Sequence, residues 1–271
     1  RGSNMQATYV DNGQMLNKNI SVESNDLLKS KKSKEGIKKY PVLNFTEKDL
    51  KKLQRDVMKV LKESKIKPAG GKAYEFSKRF LDITLGSVGL VLTAIPVGGF
   101  ALAIFISDGK CPFFSQVRLT KNGKPFKMYK LRSMCIDAEE KFAEVQKLNN
   151  CDGFAFKSDD DPRITRIGHF IRKTSIDELP QLINVVKGDM SIIGPRPALP
   201  REVVLYTPKE MDRLLVKGGL ACICQTESRS DMPFDEWMNT DIEYIKNRSL
   251  ALDFKIFLKL FTAVIKHKGA K

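Results

Sequence analysis

No feature restricts the fold of this chain as strongly as its long apolar segment without charged side chains. The segment runs from Ile83 to Ile106, and as a continuous helix it would extend about 36 Å, enough to cross the hydrocarbon core of a bilayer. Pro96 lies near its middle, with Gly98 and Gly99 after it. Because proline lacks the backbone N–H that a helix interior requires, the sequence predicts a membrane segment with a break at Pro96.

The charges beside this segment predict how it meets the membrane. Basic residues flank both of its ends: Lys72, Lys78 and Arg79 before it, and Lys110, Arg118 and Lys121 after it. A helix that crosses a bilayer usually has its excess of positive charge on the cytoplasmic side, and no such asymmetry is visible here. We therefore expect a re-entrant helix–break–helix hairpin over residues 80–107, with both ends on the cytoplasmic face. A buried helix pair of a soluble protein is the alternative interpretation.

A second stretch, from Arg163 to Pro197, places an adjacent acid pair among arginines. The spacing from Ser175 to Glu178 matches a capping box, and the apolar pattern after it predicts a helix from about Asp177 to Gly188. One interpretation of the pair is therefore an ordinary helix cap. The other is an anion-handling site, since arginines bind phosphate oxygens in pairs and carboxylates hold divalent cations or attack phosphorus. The spacing alone does not choose between them.

The sequence from Asp161 to Pro197, DPRITRIGHFIRKTSIDELPQLINVVKGDMSIIGPRP, closely resembles the core of the bacterial sugar transferases, the monotopic polyprenol-phosphate phosphoglycosyl transferases. The similarity extends from about Lys78 to Lys266. A preceding segment is also similar to the family, with matching residues at Gln116, Arg118, Gly123, Lys130 and Arg132. The chain departs from the family pattern at Lys217-Gly-Gly-Leu-Ala-Cys222, so specificity roles are not transferred to that loop.

The resemblance implies transfer of a sugar-1-phosphate from a UDP-sugar to undecaprenyl phosphate, with release of UMP. It implies Asp177 as the nucleophile, and Mg²⁺ held by Asp177 and Glu178. The residues expected to contact phosphate or nucleotide are Arg132, Arg163, Arg172, Arg196 and Pro197. The expected location is the cytoplasmic face of the bacterial inner membrane, with membrane lipid as a further partner and self-association left open.

The net charge of +15 indicates an anionic partner, and phosphorylated substrates, acidic lipid headgroups and nucleic acid all meet that description. The sequence contains no helix-turn-helix, zinc knuckle or aromatic-rich single-strand motif, so we do not expect a nucleic-acid partner. The five cysteines form no Cys-x-x-Cys pair, and the odd count favours a reducing compartment.

We predict an α+β, mostly helical fold in two parts. Residues 1–71 form an N-terminal extension: a tag remnant at 1–4, a disordered lysine-rich tail from 5 to about 40, and a helix capped by Thr46. Residues 72–271 form the transferase domain. It contains the re-entrant segment, a β-hairpin near residues 112–131 that turns at Lys121-Asn-Gly123, and a basic amphipathic helix around Phe254 and Leu258 in the membrane interface.

Three other functions remain compatible with parts of the pattern. A peripheral binder would use the positive charge without chemistry, and it would not need Asp177. A phosphatase with an aspartyl-phosphate usually carries a second aspartate two residues after the first, where this chain has Leu179. A catalytically silent scaffold of the same family would be consistent with the altered loop after Lys217.

Overall fold

The computed structural model describes residues 5–11, 14–20, 45–138, 140–141, 145, 161–224 and 232–265. The α-helices of this part of the chain are α1 (Glu47–Lys62), α2 (Gly71–Asp108), α3 (Arg166–Lys173), α4 (Leu182–Lys187), α5 (Pro200–Val203), α6 (Pro208–Met211), α7 (Phe234–Asn247) and α8 (Leu250–Ile265). Short 3₁₀ segments lie at Lys121–Gly123, Ile176–Gln181 and Asp212–Leu215. Helices therefore predominate, as the sequence predicts.

The strands of the described residues form two-stranded sheets. They are β1 (Met5–Asp11), β2 (Gln14–Ile20), β3 (Phe113–Leu119), β4 (Pro125–Leu131), β5 (Ser191–Ile193) and β6 (Gly219–Ala221). β1 pairs with β2 and β3 with β4 in antiparallel fashion, whereas β5 and β6 are parallel. The mixture of a few strands with many helices confirms the α+β class.

The β-hairpin predicted from Lys121-Asn-Gly123 is confirmed. Phe113 pairs with Leu131 and Leu119 with Pro125, and the turn places Asn122 at φ 59°. Asparagine and glycine tolerate this left-handed conformation better than other residues.

The prediction of disorder from residue 5 to about 40 is wrong for its first part. Residues 5–11 and 14–20 are paired strands. The sequence signal for them is the Asn12-Gly13 pair, which is typical of tight hairpin connections and which the low hydrophobicity of the whole tail obscured. The lysine-rich remainder, residues 21–44, lies outside the described residues.

Helix α2 contains the apolar segment and continues through Pro96 without the expected break. Both halves of α2 pack against the folded domain. In the first half Gly89 approaches Leu182 of α4, and in the second half Phe100 stacks on Phe170 of α3 with ring centroids 5.5 Å apart. Proline is tolerated inside apolar helices when neighbouring elements compensate for the lost hydrogen bond. We infer that these contacts keep the two halves in one helix.

The N-terminal part of α2 is bonded to the folded domain at several points. Arg79 donates through Nη1 and Nη2 to the carbonyl oxygens of Val185 and Val186, each at 2.7 Å. Asp82 accepts from the Ser191 hydroxyl at 3.0 Å and from the Ile192 N–H at 2.9 Å. The start of the apolar helix is thus fixed to the end of α4 and to β5.

The C-terminal end of α2 is bonded to the same domain. Asp108 forms an ion pair with Arg132, which follows β4 and also donates through Nε to the Cys111 carbonyl at 2.8 Å. Both ends of α2 are thus attached to a single folded body.

The remaining surface of α2 is apolar and exposed. Only 11% of its most apolar 18-residue window is buried, and by length and composition the helix could cross a membrane. Its exposed large side chains include Phe80, Val88, Val91, Leu92, Ile95, Leu102, Phe105 and Ile106. An exposed apolar surface of this extent is typical of proteins that contact a lipid bilayer.

Helix α1 packs on the domain through the stripe that the sequence predicts. Thr46 and Asp49 form the expected capping box, and Leu53 and Val57 are almost completely buried. A Cβ at Gly123 would lie 3.0 Å from Val57, so α1 lies directly against the turn of the β3–β4 hairpin.

We expect Gly86→Leu to destabilise the protein by about 1–3 kcal/mol. A Cβ at Gly86 would already lie 3.1 Å from Val186 and 3.4 Å from Val185, so a larger side chain must push α2 away from α4. Gly98→Leu is the matched control, because a Cβ there would meet nothing within 4 Å. Thermal unfolding in detergent measures both variants, and equal melting temperatures would contradict the packing of α2 on α4.

Candidate active site

The acid pair lies on the 3₁₀ segment Ile176–Gln181, between α3 and α4. The predicted capping box at Ser175 is wrong: this residue has φ 58° and its side chain makes no capping bond. Its N–H donates to the Arg172 carbonyl at 3.0 Å, and Ser175 precedes the 3₁₀ segment as a left-handed residue without a side-chain cap. The predicted end at Gly188 is confirmed, with φ 89° at that glycine.

A buried asparagine fixes α4, which follows the acid pair, against β4. Asn184 donates through Nδ2 to the Lys127 carbonyl at 2.7 Å and accepts from the Tyr129 N–H at 3.0 Å. Since a buried amide with both sides hydrogen-bonded has one favourable orientation, the distance between β4 and the acid pair is closely defined.

Lys130, at the next position on β4, contacts both acids. Its Nζ lies 2.8 Å from Glu178 Oε1 and 4.0 Å from Asp177 Oδ2. The sequence comparison identified Lys130 as a matching position without giving it a role in the site. A hairpin sequence shows which face of a strand a residue occupies, but it does not show which turn packs on that face.

The two adjacent acids lie in different environments. Asp177 is buried, whereas Glu178 is partly exposed and paired with Lys130. Burial raises the pKa of Asp177 to about 6, with the Glu178 charge acting in the same direction and Lys130 and Arg172 opposing it. Asp177 is therefore mostly ionised at neutral pH, yet more basic than an ordinary aspartate, which favours a nucleophile or a base.

A small cleft opens beside the acid pair. Its walls come from β3, β4, the acid-bearing turn, the Pro195-Arg196-Pro197 segment and β6, with Arg118, Met128, Lys130, Glu178, Gln181, Arg196, Pro197, Gly219 and Leu220 as lining residues. The predicted residues Glu178, Arg196 and Pro197 thus meet in one place. Asp177 is not among the lining side chains, but its Oδ2 lies 4.0 Å from Nζ of Lys130, which does line the cleft.

Three polar side chains at this site make no hydrogen bond or ion pair with any residue in the described part of the chain. They are Arg172, Gln181 and Arg196. Gln181 and Arg196 line the cleft, and the charge of Arg172 acts on Asp177. Polar groups near an acid pair that lack protein partners are the groups a polar ligand would bind.

Two predicted phosphate contacts have other partners in the structure. Arg163 is buried and forms an ion pair with Asp161 at 2.7 Å, and it also donates to the Ala138 carbonyl. Arg132 holds the end of α2 through Asp108. Neither arginine lines the cleft. Arg163 pairs with an acid only two residues before it in the sequence, whereas Asp108, the partner of Arg132, lies 24 residues away and is recognisable only after folding.

The acid pair fits Mg²⁺ only together with a ligand. Within the described ranges no group of three or more His, Cys, Asp or Glu side chains is arranged to hold a metal, and the pair supplies two carboxylates. Mg²⁺ commonly takes one or two protein carboxylates and completes its coordination with water and substrate phosphates. The donor set is therefore suitable for Mg²⁺ bound jointly with a phosphorylated ligand.

The arrangement combines a basic carboxylate, a lysine and two arginines without protein partners around a small cleft. Arginine and lysine favour phosphate or diphosphate as the ligand. A carboxylate of raised pKa beside them suits attack on phosphorus once the positive charges have reduced the repulsion between the two anions.

Comparison with known proteins agrees with this chemistry. The profile of the family "Bacterial sugar transferase" matches residues 73–267. The galactosyl transferase CpsE of Streptococcus agalactiae is 43% identical over 74% of this chain and 45% of its own length. The undecaprenyl-phosphate galactose phosphotransferase of Salmonella typhimurium is 38% identical over 72% of this chain and 42% of its own length. The exopolysaccharide production protein ExoY of Rhizobium meliloti is 34% identical over 76% of this chain and 91% of its own length.

The chain spans less than half the length of the first two of these relatives and nearly all of ExoY. The matched region contains α2, the β3–β4 hairpin, the acid pair and the Pro-Arg-Pro segment. It begins after α1.

We expect Asp177→Asn to stabilise the folded protein at neutral pH by up to about 3 kcal/mol, because it removes a buried charge whose pKa is raised from 3.8 to about 6. The cost of that charge is fully present above pH 6. It disappears as the pH falls from about 6 to about 4 and Asp177 takes up a proton. The advantage of the variant should therefore shrink over the same interval in thermal unfolding experiments.

Glu178→Gln is the matched control, since it removes a carboxylate that is already paired with Lys130. We expect it to give no stabilisation. An Asp177→Asn protein that is less stable than the parent at pH 7 would contradict the environment assigned to Asp177.

Proposed function

The chain belongs to the bacterial sugar transferase family, and on that premise we propose that it transfers a sugar-1-phosphate from a UDP-sugar to undecaprenyl phosphate with release of UMP. The observation that carries the proposal is the acid pair beside an arginine-lined cleft: Asp177 has a raised pKa, and Arg172 and Arg196 have no protein partner in the described residues. The names of relatives support the same reaction class.

In the first step an Asp177 carboxylate oxygen attacks the phosphorus that bears the sugar. A bond forms between this oxygen and phosphorus, and the bond between that phosphorus and the bridging oxygen of the diphosphate breaks. The electron pair leaves on that oxygen, so UMP departs and a phosphosugar ester of Asp177 remains. Arg172 and Arg196 would neutralise the diphosphate during the attack.

In the second step a phosphate oxygen of undecaprenyl phosphate attacks the same phosphorus. The bond to Asp177 breaks, its electron pair returns to the carboxylate, and the product is a sugar linked to the lipid by a diphosphate. Lys130 would keep Glu178 in place through both steps, because the two remain paired at 2.8 Å. Mg²⁺, held by Asp177 and Glu178 with substrate oxygens, would reduce the negative charge of the reacting phosphates.

The lipid acceptor explains why the domain carries an exposed apolar helix. We propose that α2 lies in one leaflet with both of its ends on the same side, as a monotopic element at the cytoplasmic face of the bacterial inner membrane. The attachment of both ends of α2 to one domain supports this topology. On α8, Phe254 and Leu258 are 62% and 49% exposed, which supports an interfacial position for that helix.

Such a reaction would start the assembly of a lipid-linked glycan. The relative ExoY is named for exopolysaccharide production, and we propose an exopolysaccharide, capsule, O-antigen or glycoprotein pathway for this chain. The catalytically silent scaffold is the second candidate. The altered loop favours it, because Gly219 and Leu220 of that loop line the cleft. Against it, Glu178, Lys130, Arg196 and Pro197 all line that cleft.

We expect the detergent-solubilised protein, with Mg²⁺ and undecaprenyl phosphate, to release UMP from one or two members of a UDP-sugar panel. Asp177→Asn should reduce the release at least about 10³-fold, because it removes the nucleophile. Asp235→Asn on the exposed side of α7 is the control of equal charge. Release unchanged in Asp177→Asn would exclude this nucleophile, and no release from any sugar would favour the scaffold.

The pH dependence gives a separate test of the same residue. Asp177 must be ionised to attack, and its pKa is about 6, so kcat/KM should fall about tenfold per pH unit below 6. A profile that stays flat to pH 5 would show that the essential carboxylate is not Asp177 in this environment.

The monotopic topology predicts that both ends of α2 face the same compartment. Cys111, which is exposed just after α2, and a Lys72→Cys variant just inside its start should each react with a membrane-impermeant maleimide in inside-out vesicles. Neither should react in intact spheroplasts. Each site is tested alone, with the other cysteines replaced by alanine. Labelling of the two sites from opposite sides would show that α2 crosses the membrane.

A further inference from the structure

Four successive backbone carbonyls hold the Pro-Arg-Pro segment against the body of the protein. The oxygens of residues 195 to 198 each accept one hydrogen bond: Pro195 from Gly219 N at 2.8 Å, Arg196 from Arg213 Nη2 at 3.0 Å, Pro197 from Arg118 Nη1 at 3.0 Å, and Ala198 from Leu119 N at 2.9 Å. The segment is therefore fixed along its whole backbone, and the Arg196 side chain is left to line the cleft.

Two of these donors are buried arginines, but their charges are compensated differently. Arg213 forms an ion pair with Asp241 at 2.6 Å, and its charge is balanced. Arg118 is 7% exposed, and no carboxylate of a described residue lies within ion-pair distance of it. Its Nη2 donates to Gln116 Oε1 at 3.0 Å, and its buried Nε has no hydrogen-bond partner among the described residues.

The surroundings of Arg118 disfavour its positive charge. Burial lowers the pKa of Arg118 to about 10, the nearby charges of Arg196 and Arg201 act in the same direction, and Glu202 opposes them. A buried charge without a partner is costly unless something else compensates for it. Arg118 and Arg196 line the same cleft, so an anion bound there would compensate both arginines.

We propose that Arg118 is a positioning residue for the diphosphate of a nucleoside diphosphate ligand: it holds the Pro197 carbonyl, which fixes Arg196, and it keeps positive charge in the cleft wall. The inference rests on the proposed function for the identity of the ligand and adds a residue to which that function gave no role. Arg118 reaches Pro197 and Gln116 with two nitrogens of one rigid guanidinium, which lysine cannot reproduce.

The test measures binding of UDP to the full chain in detergent by isothermal titration calorimetry. Arg118→Gln removes both the positive charge and the two-point contact with Pro197 and Gln116. We expect its Kd for UDP to rise about 10- to 100-fold. Arg118→Lys keeps the charge but not the two-point contact, and we expect a rise of about 3- to 10-fold. Lys124→Gln, an exposed position on the hairpin turn, removes one charge elsewhere and should leave the Kd unchanged.

Steady-state kinetics separates positioning from general damage. With an accepted UDP-sugar, the KM of the Arg118 variants should rise in the same order as the Kd, while kcat changes less than about threefold. A Kd within twofold of the parent value in both Arg118 variants would overturn the proposal, as would a lowered melting temperature with unchanged UDP binding.

Failure of the proposed function would look different. A parent protein that binds UDP in an Arg118-dependent way but releases no UMP from any UDP-sugar would support the role of Arg118 and reject the reaction. If Arg118→Gln does not fold, Arg118→Lys decides: a raised Kd supports the proposal, and a parental Kd overturns it.

Discussion

The architecture depends on the attachment of one apolar helix to the segment that bears the acid pair. Arg79 binds the last carbonyls of α4, Asp82 binds the start of β5, and glycines at positions 86 and 89 allow α2 to lie close to α4. These contacts place an exposed apolar surface on a helix that packs against the acid-bearing segment. The proposed reaction between a water-soluble nucleotide sugar and a lipid phosphate requires a site that both can reach, and this attachment is consistent with that requirement.

The cleft itself is built from uncompensated positive charge around a buried carboxylate. Asp177 has a raised pKa. Among the described residues, Arg118 is buried without an acidic partner, and the Arg196 side chain makes no hydrogen bond or ion pair. Burying a charge without a partner costs stability in the absence of a ligand. An anion bound in the cleft would compensate the positive charges of the two arginines and would oppose the ionised form of Asp177.

Local signals predicted local structure well. The Asn-Gly turn, the Thr46 capping box, the glycine at 188 and the long apolar helix follow from the properties of neighbouring residues, and the structure has all of them. Predictions about side-chain partners depend on the folded structure. The Ser175 side chain makes no capping bond, although its spacing matches a capping box. Arg163 pairs with Asp161, two residues before it, and Arg132 pairs with Asp108, and both acids compete with a ligand. Lys130 lies beside the acids because β4 packs on the acid-bearing turn, and the sequence alone does not show this packing.

The packing of α1 shows that the folded domain begins earlier in the chain than the region matched by the family profile. The family profile begins at residue 73, but Leu53 and Val57 of α1 belong to the same core cluster as Leu119, Val203 and Leu214. A shortened protein that began at residue 72 would keep every residue of the site. It would also expose the apolar side chains against which α1 packs, next to the turn that contains Gly123. The smallest unit of this protein that keeps this packing is therefore longer than the region matched by the family profile. A shortened protein for expression should begin before Thr46.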